Sequence, residues 1–191
     1  MNHVIRLATV LDSKAILQIY APFILDTAIT FETEAPSADE FAGRVGAISA
    51  HNPYIVYQIG GEIVGYAYAA KHRERAAYRY DVEVSIYVLP EYHGTGVAHK
   101  LYACLFELLK ALGYYKAYAA YVVPNNKSMR FHQKFGFELI GTFHKTGYKH
   151  GKWRDVTWLE KTLRDQNETP GPIKSIRDLP DECLSSVFRL S

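Results

Sequence analysis

Apolar and polar positions alternate from His3 to Thr9, the period-two signature of a strand with one buried face. The period then lengthens. Ala15, Ile16, Ile19, Tyr20 and Phe23 recur at three- and four-residue steps behind Asp12 or Ser13, either of which suits an N-cap, so a helix is expected. Thr30-Phe31-Glu32-Thr33 opens a loop that ends at Pro36. Ser37 before Ala38-Asp39-Glu40 then combines an N-cap with an acidic first turn and starts a second helix over residues 38–50. Tyr54 to Ile59 and Glu62 to Ala70 flank Gly60-Gly61 and read as a tight hairpin. Asp81 to Val88 is the next strand, closed by Pro90, whose missing N–H cannot join a ladder.

From Gly96 onward, Ala98, Leu101, Leu105, Leu108 and Leu112 mark one face of a long helix, with Gly113 as its stop. Tyr115 to Val123 is a further strand. The order strand, loop, helix, strand makes it parallel to Asp81–Val88 through a right-handed crossover. Asn125 or Asn126 caps a short helix that runs to Phe135 and ends at Gly136. Phe137 to Phe143 and Trp153 to Leu163 form a final hairpin across a loop holding Gly147 and Gly151. One domain, residues 1–163, closes there. Arg164 to Pro172 is polar, with two prolines, and has a linker's composition. Asp181 to Leu190 forms one short helix in a 164–191 tail whose role is unassigned.

Composition bears on function more than on fold. A chain of 191 residues, 48% hydrophobic, supports one well-buried core. The net charge of +2 arises from 22 basic and 20 acidic residues that are interspersed, so no basic face argues for nucleic acid and a small-molecule partner is expected. Cys104 and Cys183 lack metal-ligand spacing; no metal is expected, and both read as reduced thiols. The absence of a leader pattern and of a run of roughly 20 apolar residues makes a cytoplasmic protein without membrane association the expectation.

His93-Gly94-Thr95-Gly96-Val97-Ala98 lies between a strand and a helix, where close-approaching backbone amides and the positive end of the helix favour an anion. Its glycine spacing, with His99-Lys100 following, does not fit a Walker A loop. His99 stands where a dinucleotide fingerprint needs Gly or Ala. A two-glycine loop of the kind that holds the pyrophosphate of coenzyme A remains, beside the plainer reading of a tight turn.

The chain resembles the GNAT superfamily of acetyl-CoA-dependent N-acetyltransferases. The likeness is most specific in Val82-Glu83-Val84-Ser85-Ile86-Tyr87-Val88-Leu89-Pro90 with Thr95-Gly96, in Val123-Pro124-Asn125, in Arg130-Phe131-His132, and in residues 147–155 (GYKHGKWRD). These segments, with Thr30-Phe31, are similar to the phosphinothricin and methionine sulfoximine acetyltransferases, from about residue 4 to 163. The resemblance implies an α/β (α+β) GNAT fold: a mixed, mostly antiparallel sheet of about seven strands flanked by helices, its fourth and fifth strands parallel and framing an acetyl-CoA cleft. The first place of the phosphate loop, commonly Gln or Arg, is His93 here, and no arginine stands at Gly94.

Transfer of an acetyl group to an amine requires the neutral amine, hence a base. The resemblance marks Glu83 for that role, with burial raising its pKa, and His132 for a secondary part in proton transfer. It implies that Ile86, Tyr87 and Val88 pair their backbone with the pantetheine arm. Gly94, Thr95, Gly96, Val97, Ala98 and His99 would cradle the pyrophosphate through N–H groups, and Asn125 would contact the cofactor or simply cap a helix. Arg75 and Tyr78 match positions that hold the anionic groups of a glutamate-like acceptor, and Phe31 matches an aromatic wall. The expected activity is acetylation of the α-amine of a small amino acid of the phosphinothricin or methionine sulfoximine type, without a covalent enzyme intermediate. Another amine, a protein N-terminus or a polyamine, and a non-catalytic acyl-CoA-binding module are the alternatives. A homodimer is a family expectation.

Overall fold

A computed structural model describes residues 2–167 and 169–189. Seven strands form one sheet in the order β1-β2-β3-β4-β5-β7-β6. They are β1 (His3–Leu7), β2 (Tyr54–Ile59), β3 (Glu62–Lys71), β4 (Asp81–Val88), β5 (Lys116–Val123), β6 (Glu138–Lys149) and β7 (Lys152–Thr162). Every neighbouring pair is antiparallel except β4 and β5. The mixed sheet with one parallel pair agrees with the expected fold class.

Each face of the sheet has its own core. Helices α1 (Ser13–Leu25) and α2 (Ala38–Ser49) cover one face, where Ile16, Ile24, Val45, Tyr54 and Tyr66 are buried. Ser37 caps α2 as its sequence predicts, accepting from the Glu40 N–H at 3.2 Å. Helix α3 (Val97–Leu112) covers the other face, with Leu101, Leu105, Leu108 and Leu112 fully buried against Val82, Val84 and Val88. The helix stripe and the strand alternation read from the sequence thus meet in one cluster. Helix α4 (Asn126–Lys134) follows β5.

Two parts of the chain depart from expectation. Residues 144–152, read as a loop, are mostly strand: β6 continues to Lys149, β7 starts at Lys152, and only His150-Gly151 turns. The ladder tolerates this polar stretch because its register slips between Phe143 and Gly147, where Lys145 takes a positive φ of 49°. After Leu163 the chain runs back across α3. Ile176, Leu179 and Val187 bury into the α3 cluster, and Lys174 N–H donates to the Leu112 carbonyl at 2.9 Å. The last helix, α5 (Asp181–Arg189), packs on α3 and β1; Leu190, where the sequence ends it, lies outside the described residues. Among the described residues no helix is long and apolar enough to cross a membrane, and no cluster of His, Cys, Asp and Glu has the makings of a metal site.

Candidate active site

Strands β4 and β5 are joined by only three register pairs, Asp81 with Lys116, Val82 with Ala117 and Glu83 with Tyr118. Beyond them each strand stays with its outer neighbour, β4 with β3 as far as Val88 and β5 with β7 as far as Val123, and the two part like a fork. The gap is a cleft of about 740 Å³ lined by Val84 to Val88 on one side and Ala120 and Tyr121 on the other. Backbone that has lost its ladder partner offers N–H and C=O groups to an extended, amide-bearing ligand. Ile86, Tyr87 and Val88 line this cleft, as do Gly94, Gly96, Ala98, His99, Asn125 and His132.

The loop at the mouth is shaped by its own bonds. Gly94 and Gly96 have φ of 80° and 94°, a left-handed backbone that an L side chain would strain, and Gly96 leads into the first turn of α3. His93 Nε2 donates to the Val88 carbonyl at 2.9 Å, tying the loop to the end of β4; that is the role of the residue standing where a Gln or Arg is commoner. Thr95 spends its hydroxyl on the Tyr92 carbonyl at 2.7 Å, and Val97 is buried in the core, so neither side chain lines the cleft. Cationic side chains come instead from α4: Lys127, Arg130 and Lys134 all line the cleft. Sequence reasoning missed them, although their three- and four-residue spacing puts them on one helix face. Asn125 both caps α4, its Oδ1 accepting from the Ser128 N–H at 3.0 Å, and lines the cleft.

Glu83 sits at the closed end of the fork. The expectation that it is buried fails: its side chain is 40% exposed, because strand alternation sends Val82 and Val84 into the core and Glu83 to the opposite face. Its Oε1 lies 2.8 Å from Nδ1 of His72, a residue the sequence did not single out. Desolvation raises the carboxyl of Asp81, two residues earlier, above its ordinary value.

His132 is buried, with Nδ1 2.8 Å from the Ser128 carbonyl and Nε2 3.1 Å from the Tyr102 hydroxyl. A carbonyl only accepts, so Nδ1 carries the proton and Nε2 accepts from Tyr102. Burial lowers the His132 pKa and raises that of Tyr102 well above the ordinary phenol range, so the pair stays neutral.

The acceptor candidates lie outside the main cleft. Phe31, partly exposed, packs its ring on Gly147 of β6. Arg75 and Tyr78 are exposed on the connection between β3 and β4, where the Tyr78 ring meets His72 edge-on at 6.1 Å. The loop bearing Phe31 is anchored by Lys149, whose buried Nζ donates to the carbonyls of Ile24, Thr30 and Glu32 at 2.6, 2.8 and 2.7 Å.

A sheet parted at its parallel pair, with unladdered backbone along the gap and a glycine loop opening a long helix at its mouth, defines the acyl-CoA-dependent transferase class. Comparison with known proteins makes this specific. Residues 5–158 match the family model described as acetyltransferase (GNAT) domain. A phosphinothricin N-acetyltransferase of Streptomyces coelicolor is 35% identical over 156 residues, covering 80% of this chain and 91% of the relative. An L-methionine sulfoximine/L-methionine sulfone acetyltransferase of Salmonella typhimurium is 30% identical over 170 residues, covering 87% and 97%. The structure of a GNAT superfamily phosphinothricin acetyltransferase from Sinorhizobium meliloti, in complex with acetyl-CoA, superposes with a TM-score of 0.85 at 35% identity, covering 90% of this chain and 94% of that one. The chain belongs to the GNAT acetyltransferase family and is an acetyl-CoA-dependent N-acetyltransferase.

Proposed function

We propose that the acceptor is the α-amine of a small amino acid of the phosphinothricin or methionine sulfoximine type, and that Glu83 is the general base. The observation that carries this reading is a half-exposed carboxylate at the closed end of the β4/β5 fork, adjoining the backbone of Ser85 to Val88 along the cleft. An α-ammonium has no lone pair with which to attack a thioester. Glu83 takes its proton, and the freed amine attacks the thioester carbonyl, which a backbone N–H of the Ile86 to Val88 segment polarises. The C–S bond then breaks, the coenzyme A thiolate leaving with the second proton that the new amide nitrogen gives up. Gly94, Gly96, Ala98 and His99 at the head of α3 hold the pyrophosphate, with charge supplied by Lys127, Arg130 and Lys134. Arg75 and Tyr78 receive the anionic groups of the acceptor, and Phe31 forms one wall. The names of the relatives described above support this substrate class.

Thiol release from acetyl-CoA with a panel of amino acids, peptides and polyamines tests the reading. Turnover of phosphinothricin or methionine sulfoximine is expected, with kcat for Glu83→Gln reduced about a hundredfold or more. Unchanged turnover in the variant removes Glu83 as the base, and turnover of peptides or polyamines alone replaces the acceptor class. A homodimer completes the proposal. Leu139, Ile140, Phe143, Tyr148 and Trp153 are large and exposed on the hairpin that ends the sheet, the kind of apolar surface that association covers. Light scattering should return twice the 21.7 kDa chain mass; a single chain mass refutes the dimer.

A further inference from the structure

His72 holds Glu83 in one orientation, and its own protonation is set by a third residue. While Nδ1 lies 2.8 Å from Glu83 Oε1, the other ring nitrogen, Nε2, lies 3.2 Å from Nε of Arg73. Arginine Nε always carries hydrogen and has no lone pair to offer, so Nε2 of His72 is the acceptor in that contact. A neutral imidazole that accepts at Nε2 carries its proton at Nδ1, and Nδ1 therefore donates to the carboxylate. A protonated ring would set two N–H groups against each other at Arg73. Packing fixes the ring as well. It stacks on Tyr118 with centroids 4.3 Å apart at 22°, meets Tyr78 and Trp158 edge-on at 6.1 Å, and its side chain is 8% exposed. Glu83 Oε2 has no hydrogen-bond partner among the described residues.

We propose that His72 is a positioning residue for the base: oriented by Arg73, it fixes Oε1 of Glu83 and leaves Oε2 to take the proton of the acceptor amine. This rests on Glu83 being that base. In the step, an N–H bond of the substrate ammonium breaks, the electron pair stays on nitrogen for attack, and an O–H bond forms at Oε2. His72 keeps its own proton throughout. The titratable and charged groups around the ring are Arg73 on its own segment, Tyr78 on the next turn, Glu83 and Asp81 on β4, and Tyr118 on β5, with Lys116 of β5 and Glu160 of β7 beyond Asp81.

A carboxylate held at one oxygen presents the other to the acceptor amine, so removing the donor loosens the aim of the base and lowers kcat. His72→Phe keeps an aromatic ring on Tyr118 and deletes the Nδ1 donor. It should lower kcat about tenfold, the worth of a hydrogen bond to a charged group, and leave KM for acetyl-CoA unchanged. His72→Asn, with an amide N–H near the Nδ1 position, should restore most of the lost kcat. A kcat unchanged in His72→Phe, or lowered equally in both variants, overturns the proposal. The failure of the base itself is read separately: Glu83→Gln at wild-type turnover sinks the base and the positioning role together. Loss in Glu83→Gln beside wild-type kcat in His72→Phe sinks the positioning role alone. Nitrogen-15 imidazole spectra of the intact chain provide a readout independent of turnover. They should show His72 neutral with its proton on Nδ1, and a proton on Nε2 overturns the assignment.

Discussion

Gly147 lies opposite Arg154 in the β6–β7 ladder, and a Cβ added there would run into the ring of Phe31. The absence of a side chain is what lets that ring come against the hairpin. Gly147→Ala should displace Phe31 and raise KM for the acceptor severalfold while KM for acetyl-CoA holds, since the β4/β5 cleft proposed for the coenzyme is lined by other residues. Steady-state kinetics in both substrates decides it, and equal KM values would show that Phe31 is no wall of the acceptor site. The need for glycine here was hidden from the sequence, where Gly147 resembles any turn glycine, because the demand comes from a residue remote along the chain. His72 was hidden for the same reason. Between Lys71 and Arg73 it reads as part of a solvated charge run, and only the fold brings it onto Tyr118 and Glu83. Glu83, by contrast, was singled out through the family resemblance, which gave its place on β4 but neither its exposure nor its histidine partner.

Most elements of the sheet and its helices could be read because local period, caps and glycine stops agreed with their final burial. The stripe of α3 is the clearest example, since the leucines that define its period are all at 0% exposure. The β6–β7 hairpin could not be read at its tip. Residues 144–149 (HKTGYK) carry little alternating hydrophobicity, and main-chain pairing with β7 rather than side-chain burial makes them strand. Lys149, inside that stretch, has the look of a surface lysine yet reaches back to three carbonyls of the α1–α2 connection. Helix α4 presents the opposite case. Its basic stripe was available in the spacing of Lys127, Arg130 and Lys134, but only the parting of β4 from β5 shows that the stripe faces a cleft.

At the scale of the molecule, the segment after Leu163 belongs to the fold. Ile176, Leu179 and Val187 are each less than a tenth exposed, and the Ile176 N–H donates to the His51 carbonyl at 2.9 Å. A linker-like stretch over residues 164–172 concealed this, because proline and polar content predict only that the chain leaves the preceding strand, not where it returns. Burying three such side chains contributes about 5 kcal/mol, a large share of a typical domain's net stability. A chain cut after Leu163 should therefore unfold about 10–20 °C below the full chain in a thermal melt. Equal midpoints would show the tail to be dispensable.

The sheet is in effect two half-sheets, β1 to β4 and β5 to β7, bonded at three residue pairs. Any rocking that widens the mouth must pivot there, so displacement grows with distance from Glu83 and Tyr118. At the pivot it is smallest. The glycine loop, α4 and the unladdered strand ends lie farther out along the two arms, where such rocking would move them most. The carboxylate with its histidine stands beside that pivot, where such rocking would change its aim least.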